Sequence, residues 1–255
     1  MSTNTIFSRF AYGDFPKLSY GKIMERILYF KESKKGQLFY ENLLTIAQKK
    51  LSGLNVPISP PACVIGDASG SMQVAIKTST ILSSIVCAVS NADLVFFDDK
   101  VIKPPCIPRN VAQVLEVAEK VQTRGSTHNA VGLWKYYAKK IPLKFVFMVT
   151  DEEENGTSHG YLFNALFKKY REEVAPDCKL VYVSFLHDPK KPGQMVREAI
   201  KPELDLKPLQ FRLNLKRPDL TKVDSWLGLL ALENQTFEVS CRSVIIRVLH
   251  VLTTV

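Results

Sequence analysis

The 255-residue chain has no run approaching the roughly 18 consecutive apolar residues that a membrane-spanning helix needs. Its most apolar tail piece, Val244 to Leu252, is short and interrupted by Arg247 and His250. The opening Met-Ser-Thr-Asn-Thr-Ile-Phe-Ser-Arg-Phe lacks the apolar core of a signal peptide. Cysteines are few and scattered: Cys63, Cys87, Cys106, Cys178 and Cys241 form no C-x-x-C pair. That spacing argues against a disulfide or zinc framework and for buried thiols in a reducing, cytoplasmic or nuclear, compartment. There is no phosphate-binding G-x-x-x-x-G-K-S/T loop, no G-x-G-x-x-G, and no G-x-S-x-G nucleophile elbow. No internal repeat or low-complexity tract is visible. These absences leave no membrane anchor and make an enzyme an unexpected outcome.

What is present is an ordinary globular composition, 46% hydrophobic and 23% charged, with a basic excess of +9. Such an excess permits nucleic acid, anionic surfaces or acidic proteins as partners without choosing among them. Its distribution is more informative. Residues 1–58 hold 9 basic and 4 acidic side chains, residues 59–187 hold 14 and 13, and residues 188–255 hold 11 and 8. The balanced middle reads as a packed core, and the basic flanks read as covering or partner-facing parts.

Residues 1–20 read as an irregular arm. Lys22–Lys31 and Leu38–Leu51 carry apolar residues at helical spacing, and Gly53 is a plausible stop. Pro57-Ile-Ser-Pro60-Pro61 breaks any helix and sets a boundary, giving an N-terminal arm with two amphipathic helices (1–58) and a domain (59–255). Within the domain, strands and helices alternate. Strands are expected at Ala62–Asp67, Asp93–Asp98, Lys144–Thr150 and Lys179–Leu186. Helices are expected at Gln73–Ser90, Val111–Val121, Asn129–Lys140 and Gly160–Glu173. This pattern predicts an α/β fold with a mainly parallel central sheet and helices on both faces. Beyond Leu186 the pattern blurs. Pro208–Leu215 alternates like an edge strand, Lys222–Leu232 looks helical, and Glu238–Leu252 could be helix or strand.

In an open α/β sheet, ligands sit at the carboxyl ends of the strands. The first strand ends in Asp67-Ala68-Ser69-Gly70-Ser71, a D-x-S-x-S pattern. Chance gives such a triplet in about one chain in twenty of this length at ordinary residue usage, so its placement between strand and helix carries the weight. Arg124-Gly125-Ser126-Thr127 opens the helix before the third strand, and that strand ends in Thr150-Asp151. Asp67, Ser69, Ser71, Thr127 and Asp151 thus offer two carboxylates and three hydroxyls. An all-oxygen set suits Mg²⁺, Mn²⁺ or Ca²⁺ rather than zinc. With few charged ligands, the ion would seek one more anionic oxygen from outside.

The constellation resembles the von Willebrand factor A (vWA) domain and its metal-ion-dependent adhesion site (MIDAS), over roughly residues 62–235. That resemblance implies a Rossmann-type sheet. It also implies direct metal ligation by Ser69, Ser71 and, in one of two states, Thr127, with Asp67 and Asp151 acting directly or through water. Within that superfamily, Asp67–Met72 (DASGSM), Val95–Val101 (VFFDDKV), Gly125-Ser126-Thr127 and Val149-Thr150-Asp151 are similar to the carboxyl-terminal domain of Ro-type (TROVE) RNA-binding proteins. In that family a ring of helical repeats precedes the domain, and the 58 residues here match only the last helices of such a ring. Gly70-Ser71-Met72 and Val74-Ala75-Ile76 also resemble a family of uncharacterised plant and viral proteins.

The function expected is divalent-metal-dependent binding of a protein partner through an exposed acidic residue, without turnover. The alternative implied by the Ro-type resemblance is a ribonucleoprotein component binding small noncoding or misfolded RNA through the basic flanks. The remaining features are read blandly. Glu152-Glu153-Glu154 is taken as a solvated acidic loop. Leu133, Trp134 and Tyr137 are taken as one buried helix face, although the interleaving of aromatics and lysines over residues 133–140 also suits a single-stranded nucleic-acid platform. His128 could line the metal face.

Overall fold

The computed structural model describes residues 18, 20–33, 37–53, 61–219 and 222. Two helices come first, α1 (Tyr20–Ser33) and α2 (Gln37–Gly53). The alternating part follows: β1 (Ala62–Asp67), a 3₁₀ turn (Gly70–Val74), α3 (Ile76–Ser90), β2 (Asp93–Phe97), β3 (Val101–Ile102) and α4 (Val111–Lys120). It continues with α5 (Ala130–Ala138), β4 (Phe145–Thr150), α6 (Phe163–Glu173), β5 (Lys179–Leu186), α7 (Gln194–Ala199) and β6 (Leu209–Asn214). The six strands form one sheet in the order β3-β2-β1-β4-β5-β6. All neighbours are parallel except the short β3, which runs antiparallel to β2. This is the α/β architecture expected, a mainly parallel, Rossmann-type sheet with helices on both faces.

The strands are continuous apolar runs because both faces are covered. Their side chains alternate between two clusters, as the two-residue period of a strand requires. Val64, Leu94, Phe96, Phe147, Val149, Val183 and Phe185 point into one core, closed by α1 to α4. Cys63, Ile65, Val95, Phe97, Val146, Met148 and Tyr182 point into the other, closed by α5, α6 and α7. Helix α5 meets β1 at Gly132 and Ile65. A Cβ on Gly132 would overlap the Ile65 side chain, so only glycine lets the helix approach this far. Ile23, Met24, Ile27, Leu43 and Ala47 from the first two helices belong to the first core, and Gln48 Oε1 accepts a 2.9 Å hydrogen bond from Val111 N. These helices therefore cover the sheet's helical layer.

Several local expectations shift. The helix expected from Gln73 is divided, because a 3₁₀ turn precedes α3. Helix α6 starts at Phe163 rather than Gly160, because Ser158 and Tyr161 pair across a tight hairpin. The expected edge strand forms as β6, parallel to β5. β3 and α7 had no expectation: two residues and six residues are too short to show a period. Cys63, Cys87 and Cys178 are buried free thiols and Cys106 is half-buried. The expectations at Lys222–Leu232 and Glu238–Leu252, and Cys241, lie outside the described residues, apart from Lys222 itself.

Candidate metal centre

The strand order reverses between β1 and β4, which run side by side while their chain neighbours lie on opposite sides. Such a reversal opens a crevice at the carboxyl ends of the strands. Asp67 ends β1 and Asp151 follows β4, so both carboxylates fall at the crevice by topology alone.

The loop after β1 is held by the side chain it serves. Asp67 Oδ1 accepts from Ser69 N at 2.8 Å, and Oδ2 accepts from Thr150 Oγ1 at 2.7 Å, which joins the two strand ends. The Ser69 and Ser71 hydroxyls lie 3.2 Å apart. Asp151 Oδ1 accepts from Glu153 N at 3.0 Å, whereas its Oδ2 is buried with no hydrogen-bond partner. The loop bearing Thr127 is bonded to both strand ends. Arg124 N donates to Ala68 O at 2.9 Å, Gly70 N to Gly125 O at 3.2 Å, and Asn155 N to Thr127 O at 3.0 Å. Gly125 turns this loop with φ of +65°, against Asp98, which in turn holds the Arg124 guanidinium at 3.0 Å. Four of the five expected residues, Asp67, Ser69, Thr127 and Asp151, are buried, and Ser71 is exposed at the mouth.

Burial dominates the electrostatics. It pushes the Asp67 carboxyl from its ordinary value up to about 7, and the nearby Asp151 carboxylate pushes the same way, against the hydrogen bonds from Ser69 and Thr150. Asp151 is likewise raised by burial, with the Ser71 hydroxyl and Glu153 N pulling it back. Two carboxylates thus share a desolvated pocket, and one carries an oxygen with nothing to bind. That arrangement fits a cation between them, since a divalent ion would supply both the missing partner and the missing charge. Among the described residues no three His, Cys, Asp or Glu side chains cluster as a metal-binding group would. The set here differs in drawing three of its five oxygens from hydroxyls.

The acidic run after Asp151 is not the solvated loop that was expected. Only Glu153 is exposed. Glu152 is fully buried with φ of +67°. Its carboxylate accepts from Val196 N at 2.9 Å and from Ser184 Oγ and Gln210 Nε2, and its approach requires the bare backbone of Gly193. Glu154 accepts from Phe163 N, at 2.9 Å to one oxygen, at the start of α6, and burial raises it to about 7. No local pattern marks these roles, because every partner lies at least nine residues away in the chain. Leu133 is buried as expected, whereas Trp134 and Tyr137 only border the second core and are half-exposed. Ala130, Leu133 and Tyr136 occupy the buried face of α5. His128 sits against Gly156, 3.4 Å from the Ser126 hydroxyl. Beside the centre lies an open cleft of about 410 Å³, lined by Asp151, Glu153, Asn155, His187, Lys191 and Arg197 among others.

No family model matches the chain, and no curated protein matches it. Among solved structures it is similar to the crystal structure of the Ro (RSR) protein of Deinococcus radiodurans, with a TM-score of 0.46 and 15% sequence identity. That match covers 72% of this chain and 37% of the other, so the chain spans little more than a third of that protein. Among the described residues no helix is long and apolar enough to cross a membrane.

Proposed function

We propose that the chain is a divalent-cation-dependent binding protein that captures an acidic group of a protein partner. Asp67, Ser69, Ser71, Thr127 and Asp151 would hold Mg²⁺, with Mn²⁺ or Ca²⁺ as substitutes. The observation that carries this reading is the pair of buried, mutually repelling carboxylates with an orphaned oxygen on Asp151. A bound ion supplies Lewis acidity, attracting one further anionic oxygen. The residues of this chain do the rest. Thr150 fixes the Asp67 carboxylate through Oδ2, and the Asp67 turn presents Ser69 and Ser71 side by side. The exposed position of Ser71 leaves the mouth open to a partner.

Capture without turnover is part of the proposal. Among the described residues no histidine hydrogen-bonds to Ser69 or Ser71. The test is affinity capture from a cell extract with Mg²⁺ or with chelator, reading out proteins and RNA together. Protein recovered with Mg²⁺, and lost with chelator and in Asp67→Ala, is expected. Capture indifferent to both refutes the reading. Salt-sensitive RNA recovery that depends on the flanking lysines and not on Asp67 favours the ribonucleoprotein alternative.

A further inference from the structure

On the outer surface of α5 and in the hairpin that precedes α6, four aromatic rings and two lysines form a connected patch that the metal reading does not use. Its centre is a strained turn. Ser158 and Tyr161 exchange backbone hydrogen bonds of 2.9 and 3.0 Å, enclosing His159 (φ +53°) and Gly160 (φ +81°). Two residues with positive φ between paired neighbours make the hairpin geometry that suits the strand twist. Glycine adopts it freely, but histidine does so at a cost. The Ser158 hydroxyl lies 2.9 Å from His159 Nδ1 and fixes the ring. The result is an imidazole laid on the Trp134 indole at 3.8 Å between centroids and 3° between planes.

The stack sits at the edge of the second core, where Trp134, Tyr137 and Tyr161 pack against buried residues and stay half-exposed. His159 is exposed, Trp134 is half-exposed, and α5 buries other residues. The indole meets Tyr137 at 5.5 Å, and among the described residues no further ring meets the imidazole. The rim is cationic. Lys140 lies 4.4 Å over the Tyr137 ring and Lys169 lies 6.0 Å from the Tyr161 ring. Both lysines are drawn to Glu173, at 2.7 and 3.0 Å, and Tyr137 donates to the same carboxylate at 2.9 Å. Two ammonium groups against one carboxylate leave the rim positive. A pre-set stack of flat rings with a free face and flanking cations matches a nucleobase on a phosphate backbone.

We propose that the His159–Trp134 stack is a docking platform for single-stranded nucleic acid, the imidazole receiving a base and Lys140 and Lys169 receiving phosphates. The interaction is independent of the cation centre and of Asp67. It gives the interleaved stretch over residues 133–140 a use that core packing does not.

The test uses the full chain and fluorescein-labelled ten-nucleotide oligouridylate and oligoadenylate, followed by anisotropy at low salt. Binding is expected, weakening about 5- to 100-fold in His159→Ala, the span of one lost base stack. His159→Phe should restore it. Losing two phosphate contacts, Lys140→Glu with Lys169→Glu should flatten the salt dependence, which for two contacts is about sevenfold between 50 and 200 mM. Asp67→Asn and chelator should change nothing, and the melting point of His159→Ala should stay at that of the parent, since the residue is exposed. No binding at low salt overturns the proposal. So does equal binding by His159→Ala, or binding of an acidic peptide in place of the oligonucleotides.

Discussion

Neutralising Asp67 gives the sharpest view of the centre. Asp67→Asn keeps the shape and the acceptor for Ser69 N, and its amide can donate to Thr150 Oγ1 in place of the bond that Thr150 now donates. What it removes is a buried negative charge beside another. The carboxyl is raised from 3.8 to about 7, so the fold favours its protonated form. The resulting cost is absent below pH 3.8, grows through the interval and is complete above about pH 7. At 1.36 kcal/mol per tenfold change in proton affinity, it reaches at most about 4 kcal/mol. Without metal at pH 8, the variant should therefore be more stable by about 2–4 kcal/mol, or roughly 5–15 °C in Tm for a domain of this size. At pH 4 the gap should nearly close. Magnesium should narrow or close the gap at pH 8. At a hundredfold excess over Kd it stabilises the parent by about 2.7 kcal/mol and leaves the variant unmoved. Scanning calorimetry of both proteins at two pH values, with chelator and with Mg²⁺, reads all four numbers. A variant that melts no higher than the parent at pH 8 without metal, or an equal Mg²⁺ gain in both, would refute the reasoning.

Other perturbations test the surroundings. Gly132→Ala should cost about 1–3 kcal/mol in chemical denaturation, because the new methyl meets Ile65 where α5 crosses β1. Glu154→Gln keeps the acceptor for Phe163 N but removes a carboxyl raised to about 7. The parent should lose stability relative to this variant as pH rises from 4.5 to about 7, and melting curves across that range would expose any absence of the trend. Glu152→Ala leaves Val196 N, Ser184 Oγ and Gln210 Nε2 without their acceptor. It should cost about 2–4 kcal/mol in urea unfolding and weaken Mg²⁺ binding measured by calorimetry.

The fold was readable because both faces of the sheet are covered. Continuous apolar runs such as Phe145–Thr150 and Lys179–Leu186 are unmistakable against the helical spacing between them. The positions of Asp67 and Asp151 were readable for the same reason, since the end of a buried strand is where the first charge appears. Glu152 was not. Its sequence context is an acidic triplet, and its burial depends on Ser184, Val196 and Gln210, which only the folded sheet brings to it. Trp134 was placed too deep because helical spacing alone allowed it a place beside Leu133, whereas in the fold it borders the second core half-exposed and Tyr136 is buried. The hairpin at His159 left only the faint mark of one glycine.

The Glu152 clamp also imposes an order of events on the nascent chain. Asp67 and Asp151 emerge from the ribosome early, yet the Glu152 carboxylate gains its last partner only when Gln210 arrives, 58 residues after Glu152. At ordinary rates of synthesis that interval is about 3–12 s. During it, the latch behind the paired acids draws on Ser184 and Val196 and lacks one donor, so it is completed only with the edge strand β6.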